Sequence, residues 1–111
     1  MSYRIRVSYG IGKDRDNNPI ETDIAVAAES EILTMAARIF GGATISDTRG
    51  SWIDESGHLV IEQGRSIVIM VDDLLKTGYD RIAPLISLIK SSLNQSVVLW
   101  SVQMLTKGEL V

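Results

Sequence analysis

Apolar and polar residues alternate strictly at the start of the chain: Tyr3, Ile5, Val7 and Tyr9 against Arg4, Arg6 and Ser8. A period of two predicts a half-buried strand, with both arginines on its polar face. From Thr22 or Asp23 to Phe40 the period lengthens. Ile24, Ala28, Ile32, Met35, Ala36 and Ile39 fall at helical spacing, with Glu29, Glu31, Thr34 and Arg38 turned to water. Thr22 or Asp23 is the expected cap, and Gly41-Gly42 the stop. Between strand and helix, residues 10–20 are dense in turn formers.

A hairpin follows. Ala43 to Ile53 is polar for a strand, which predicts an edge or the lining of a wet surface. Gly50 in its middle suggests a bulge or a close backbone approach. Asp54-Glu55-Ser56-Gly57 is the turn. The return strand, His58 to Val71, is long, and Gln63-Gly64 predicts a bulge or bend in it. Beyond that bend Ile67, Val68, Ile69, Met70 and Val71 are apolar on both faces, the mark of a strand covered on both sides. After a turn over 72–78, Tyr79, Ile82, Ile86, Ile89 and Leu93 set a second helix near 80–93, with Pro84 in its first turn or kinking it. Asn94-Gln95-Ser96 breaks that helix. Val97 to Leu105 reads as a last strand, largely apolar on both sides, and 106–111 as a frayed tail.

The order strand, helix, strand, strand, helix, strand predicts a single α+β domain over 1–111. It is the ferredoxin-like βαββαβ arrangement: a four-stranded antiparallel sheet with both helices on one face. The other face is bare, and its apolar positions need a cover. A second copy is the simplest one, so a homodimer packed sheet to sheet is expected. A ligand-filled cleft on that face is the competing explanation.

Composition narrows the chemistry. The 111 residues carry a net charge of -3, which argues against nucleic acid as a partner. There is no cysteine, so disulfides, thiolate zinc sites and cysteine nucleophiles are excluded. No secretory signal and no membrane-length apolar run is visible, which makes a cytoplasmic protein without a membrane the default. Nothing in the residues asks for a cofactor. Asp14, Asp16 and Asn18 have the opening spacing of a calcium loop, but Pro19 and Ala25 stand where glycine and glutamate are needed. Gly10-Ile11-Gly12-Lys13 lacks the remainder of a phosphate loop. With one histidine and scattered carboxylates, no metal site is expected.

Two residues are candidates for acid or base work: His58 beside the turn, and Glu62 in an apolar stretch that suggests partial burial. Each has a plain alternative, solvation for His58 and an arginine partner or solvent for Glu62. A ligand-binding set is easier to assemble. Trp52, Arg49 and Arg65 lie on the paired hairpin strands, Trp52 to stack and the arginines to hold negative charge, with Glu62 in the same set and Asn94 and Gln95 to orient a ligand. Here too the alternative is structural: Trp52 packing the hairpin, and arginines paired with the chain's own carboxylates.

Several short stretches carry a resemblance: residues 10–20, Phe40-Gly41-Gly42-Ala43-Thr44, Gly50-Ser51-Trp52, Ser56-Gly57, Glu62 and Leu93-Asn94-Gln95-Ser96-Val97. Together they resemble a set of small uncharacterised phage and bacterial proteins with Phe-Gly-Gly-aromatic-Thr, Gly-Gly-Trp and Asn-Gln-Glu-Ser-Val motifs. Ala43 departs from the aromatic, and the glutamate between Gln95 and Ser96 is missing. The resemblance implies a ferredoxin-like fold and no established activity, and a phage origin would favour a host-takeover role.

The leading expectation is therefore a non-enzymatic oligomeric protein, binding a small anionic, nucleotide-like ligand or a host protein. The alternatives are a small enzyme of the dimeric α+β barrel kind, using Glu62 or His58 as acid or base, and an acidic interaction protein that blocks a host factor.

Overall fold

The computed structural model describes residues 2–106. Strand β1 (Ser2–Gly10) leads to helix α1 (Thr22–Phe40), then the hairpin strands β2 (Thr44–Ile53) and β3 (Leu59–Val71), helix α2 (Tyr79–Leu93) and strand β4 (Leu99–Leu105). The sheet order is β2-β3-β1-β4, antiparallel throughout. This is the expected ferredoxin-like fold.

Alternation decides which side of the sheet meets the helices. Ile5, Val7 and Tyr9 of β1 and Ile67, Ile69 and Val71 of β3 are buried, and they share one cluster with Ala28, Ile32 and Ala36 of α1 and Ile82, Leu85, Ile86, Ile89 and Leu93 of α2. Each buried isoleucine or leucine contributes about 1.5–3 kcal/mol. From β4, Trp100 lies opposite Val7 and meets the ring of Tyr79 at 6.0 Å between centroids. The apolar stripe of α2 includes Leu85, and Tyr79 is exposed. Pro84 is inside the helix, where it costs one backbone hydrogen bond.

Helix ends follow local chemistry. The N-cap of α1 is Glu21 and makes no side-chain bond. Thr22 and Asp23 are the first helical residues instead, and Asp23 accepts from the N–H of Ile24. At the other end Gly41 takes φ of 95°, and its N–H donates to Ala37 O. That conformation is cheap for glycine alone.

Neither predicted bulge is present. Residues 44–53 of β2 face 68–59 of β3 one for one, through both Gly50 and Gly64. Gly64 has a steric reason. A Cβ there would stand 2.7 Å from Tyr9 O and 2.8 Å from Thr48 Oγ1. The close approach that the sequence suggested at Gly50 occurs at Gly64.

The hairpin outruns the sheet. β1 pairs with β3 as far as Gly64, and the N–H of Ile11 still donates to Gln63 O at 3.1 Å. Past that point 59–62 and 50–53 have strand partners in each other, among the described residues. They form a two-stranded arm whose apolar side chains are exposed on both sides: Ile53, Leu59 and Ile61 on one, Trp52 on the other.

The bare face is less apolar than its strands suggested. Arg4, Arg6, Ser8, Ser46, Thr48 and Ser66 lie on it with Val68, Met70 and Leu99. Met70 and Leu99 are exposed, so within one chain the second faces of β3 and β4 stay uncovered. The expected tail falls largely outside the described residues. Among the described residues, no helix is long and apolar enough to cross a membrane.

Candidate functional site

The six residues expected to bind ligand divide three ways. Trp52 and Glu62 share the open face of the arm. Glu62 stands directly opposite Gly50, and Trp52 opposite Val60, one step further on the same side. That makes Trp52 and Glu62 diagonal neighbours across the ladder, about 7–8 Å apart at the backbone. Arg49 and Arg65 have the opposite parity and point to the helix side, opposite Gln63 and Asp47 respectively. Asn94 and Gln95 end α2.

Arg65 is fully engaged. Its Nη1 meets Asp47 Oδ1 at 2.8 Å, and its Nε donates to Glu29 Oε1 at 3.3 Å. A further bond goes to Gly64 O at 3.2 Å. The arginine thus ties both hairpin strands to α1. The same parity that joins Asp47 to Arg65 was readable in the sequence once the register was known. Beneath this network Tyr9 presents a buried hydroxyl with no hydrogen-bond partner among the described residues. Burial, followed by the nearby Glu29 carboxylate, pushes its pKa up to about 12, although Arg65 pulls the other way.

The amides at the end of α2 are also engaged. Asn94 Nδ2 donates to Asp16 Oδ2 at 2.9 Å and Asp14 Oδ2 at 3.2 Å. Gln95 Nε2 donates to Lys13 O at 2.9 Å. Asp14 in turn accepts from the N–H groups of Asp16 and Asn18. The Asn18 N–H, with lesser help from Asn94, holds its carboxyl below the usual value. The loop expected to be a plain turn is therefore pinned to α2. A hollow of about 510 Å³ beside it is lined by Arg15, Lys90, Asn94 and Gln95 among others.

On the open face the position is different. Among the described residues Glu62 makes no ion pair. It is exposed rather than partly buried, because it lies on the face turned away from the helices and beyond the last β1 residue paired with β3. Trp52 is half exposed. No side chain rises opposite Glu62, since Gly50 stands there with open space where a Cβ would be. His58 shares this parity but sits at the tip, four residues away, about 13 Å along a strand. Its Nδ1 lies 3.8 Å from Asp54 Oδ1 and its side chain is 79% exposed. A carboxylate, an indole and a vacant strand position on one surface suit a cationic, partly aromatic ligand. Among the described residues, no group of three or more His, Cys, Asp or Glu is placed to hold a metal ion.

No family model matches the chain, and no curated protein matches it by sequence. Solved structures share its fold. A phage SAM lyase in its apo state superimposes with a TM-score of 0.62 and 20% identity, over 91% of this chain and 78% of that one. A phage SAM lyase in complex with S-methyl-5'-thioadenosine gives 0.57 and 21%, over 92% and 80%. The periplasmic divalent cation tolerance protein CutA from Archaeoglobus fulgidus gives 0.53 and 9%, over 97% and 87%. Phage SAM lyase and CutA proteins are thus among the structural neighbours that share this fold. They correct the leading expectation of a non-enzymatic binding protein. An enzyme stands among the neighbours, and the enzyme alternative fits them better.

Proposed function

We propose that this chain is a lyase that cleaves S-adenosylmethionine and releases S-methyl-5'-thioadenosine. The observation that carries the reading is the Glu62 carboxylate, without an ion pair among the described residues, beside Trp52, on a fold shared with a phage SAM lyase. The substrate is a sulfonium cation attached to a purine nucleoside. A carboxylate stabilises the cation, and an indole suits either the cation or the flat base. Arginines on the same surface of the arm would oppose such a ligand, and Arg49 and Arg65 point to the other side.

The chemistry needs no cofactor-borne step. One carbon–sulfur bond breaks, the sulfur keeps the electron pair, and it leaves as a neutral thioether. The carbon left behind is satisfied within the substrate. Either a neighbouring proton passes to a base, for which Glu62 is the candidate, or the substrate's own carboxylate closes on it. Both routes consume no water, and they give isomeric second products.

The working form is a homo-oligomer. A two-stranded ribbon is marginal alone, and this one exposes apolar side chains on both sides. A simple sheet-to-sheet dimer would cover the Trp52 side and leave Ile53, Leu59 and Ile61 bare. The assembly therefore has to enclose the arm from both sides, which also brings a second chain close to Glu62.

The direct test is incubation of the purified protein with S-adenosylmethionine, following S-methyl-5'-thioadenosine by mass spectrometry and the second product by NMR. Accumulation of the thioether at a rate proportional to enzyme supports the reading. No product from a folded, oligomeric sample removes it.

A further inference from the structure

Gly50 has no evident reason to be glycine. Its φ lies outside the left-handed region, and a Cβ there would meet nothing within 4 Å among the described residues. The register runs through it unbroken, with Glu62 as its partner. Glycine in a strand interior weakens the strand, and a β-branched residue at an edge position would strengthen it by up to about 1 kcal/mol. The contrast with Gly64 is sharp, since a Cβ there would collide with Tyr9 O and Thr48 Oγ1. One of these two glycines is required by packing and the other is not.

What the missing side chain does at 50 is clear a path. It leaves bare backbone directly opposite the Glu62 carboxylate, with Trp52 two residues along the same strand and face. A side chain at 50 would stand about 4.5–5.5 Å from the Cβ of Glu62, in the space a ligand must enter to reach that carboxylate. We infer that Gly50 is a specificity-determining position, the floor on which the thioadenosine part of the substrate lies between Trp52 and Glu62. This rests on the lyase reading and deepens it: the ligand has to be thin enough to lie on backbone, as a purine nucleoside thioether is.

The test is calorimetric binding of S-methyl-5'-thioadenosine to the wild type, Gly50→Ala and Gly50→Val. Thermal melting and native mass are measured on each. The expected result is a melting temperature unchanged or raised in both variants and an unchanged native mass. Binding should weaken several-fold in Gly50→Ala and at least tenfold in Gly50→Val. Gly42→Ala is the control, a glycine that also has open space at its Cβ but lies outside the arm, and it should bind as the wild type does. Unchanged binding in Gly50→Val overturns the inference and leaves the lyase reading standing. A loss of binding that accompanies dissociation in Gly50→Val also overturns it, because the glycine would then serve contact between copies. A wild type that neither binds the thioether nor cleaves S-adenosylmethionine removes the reading and this inference together.

Discussion

Asn94 reaches back from the end of α2 to Asp16, its Nδ2 donating to Oδ2 at 2.9 Å. The same nitrogen donates to Asp14, so one side chain holds the loop before α1 against the helix after it. Asn94 also takes φ of 50°, which asparagine and glycine tolerate. Asn94→Gly keeps that backbone and deletes the amide. The expected cost is about 1 kcal/mol for one exposed and one part-buried bond, or about 5 °C in melting temperature. Thioether binding should be unchanged. Binding that disappears with melting intact would return the amide to the ligand site. The loop has a pH limit as well. In the folded state the Asn18 N–H holds the Asp14 carboxyl below its ordinary value of 3.8. Its stabilisation is therefore present above that value and lost as pH falls through the folded value, and amide exchange in the loop should accelerate there.

Tyr9 sets the opposite limit. Its pKa is raised from 10.0 to about 12 in the fold, so between those values the folded state holds a proton the unfolded state has released. Stability contributed by the neutral phenol is complete below pH 10 and falls as pH climbs toward 12, by about 2–3 kcal/mol over the interval. Tyr9→Phe should flatten this decline. At neutral pH the variant should be as stable as the wild type or more so, because it removes a buried hydroxyl that has no partner among the described residues. Urea midpoints measured from pH 8 to 11.5 decide it. A parallel decline in the variant would assign the alkaline loss to other groups.

How much of this could be read from the chain depends on range. Ile5, Val7 and Tyr9 announced β1 by alternation, and Ile32 and Ala36 announced α1 by spacing, because both signals are local. Leu85 is buried outside the stripe that Tyr79, Ile82, Ile86, Ile89 and Leu93 define, because where α2 meets the sheet is not a local property. Arg49, Trp52 and Arg65 were grouped because they are near one another on paired strands. Parity alone separates them: 52 and 62 face one way, and 49 and 65 the other. The hairpin register that relates them is closed by the turn, with Ile53 opposite Leu59, but which of its faces meets the helices is nonlocal, decided where β3 docks on β1. The apolar neighbours Val60 and Ile61 suggest a half-buried Glu62, which is exposed in the fold. Nothing local says which face of β3 the helices cover.

The arm gives a separate expectation. Ile61 is 60% exposed on the helix side of the ribbon, opposite Ser51, and in the proposed assembly it is covered by another copy. Ile61→Lys should leave the single-chain core untouched, because Ile61 is outside it, and should reduce the native mass to that of one chain at micromolar concentration. Lyase activity should fall with it if the site needs a second chain. A wild type that is itself monomeric by light scattering would remove the assembly, and with it the reason for an apolar arm.

The two acid–base candidates make opposite forecasts. His58 lies at the hairpin tip beside Asp54, about 13 Å from Glu62 along the strand, too far for both to serve one carbon–sulfur bond within one chain. His58→Ala should change kcat/KM by less than twofold. Glu62→Gln keeps the shape and hydrogen-bonding reach of the side chain while removing its charge. If the carboxylate faces the sulfonium centre, the substitution should lower kcat/KM by about 10²-fold or more, with melting temperature unchanged because the residue is exposed and unpaired among the described residues. The split between constants identifies its role. A fall confined to kcat, with KM constant, marks a proton acceptor or a charge felt in the transition state. A rise confined to KM marks a group that holds the cation in substrate and transition state alike. Full activity in Glu62→Gln, or its loss in His58→Ala, would move the chemistry off the open face and toward the tip of the arm.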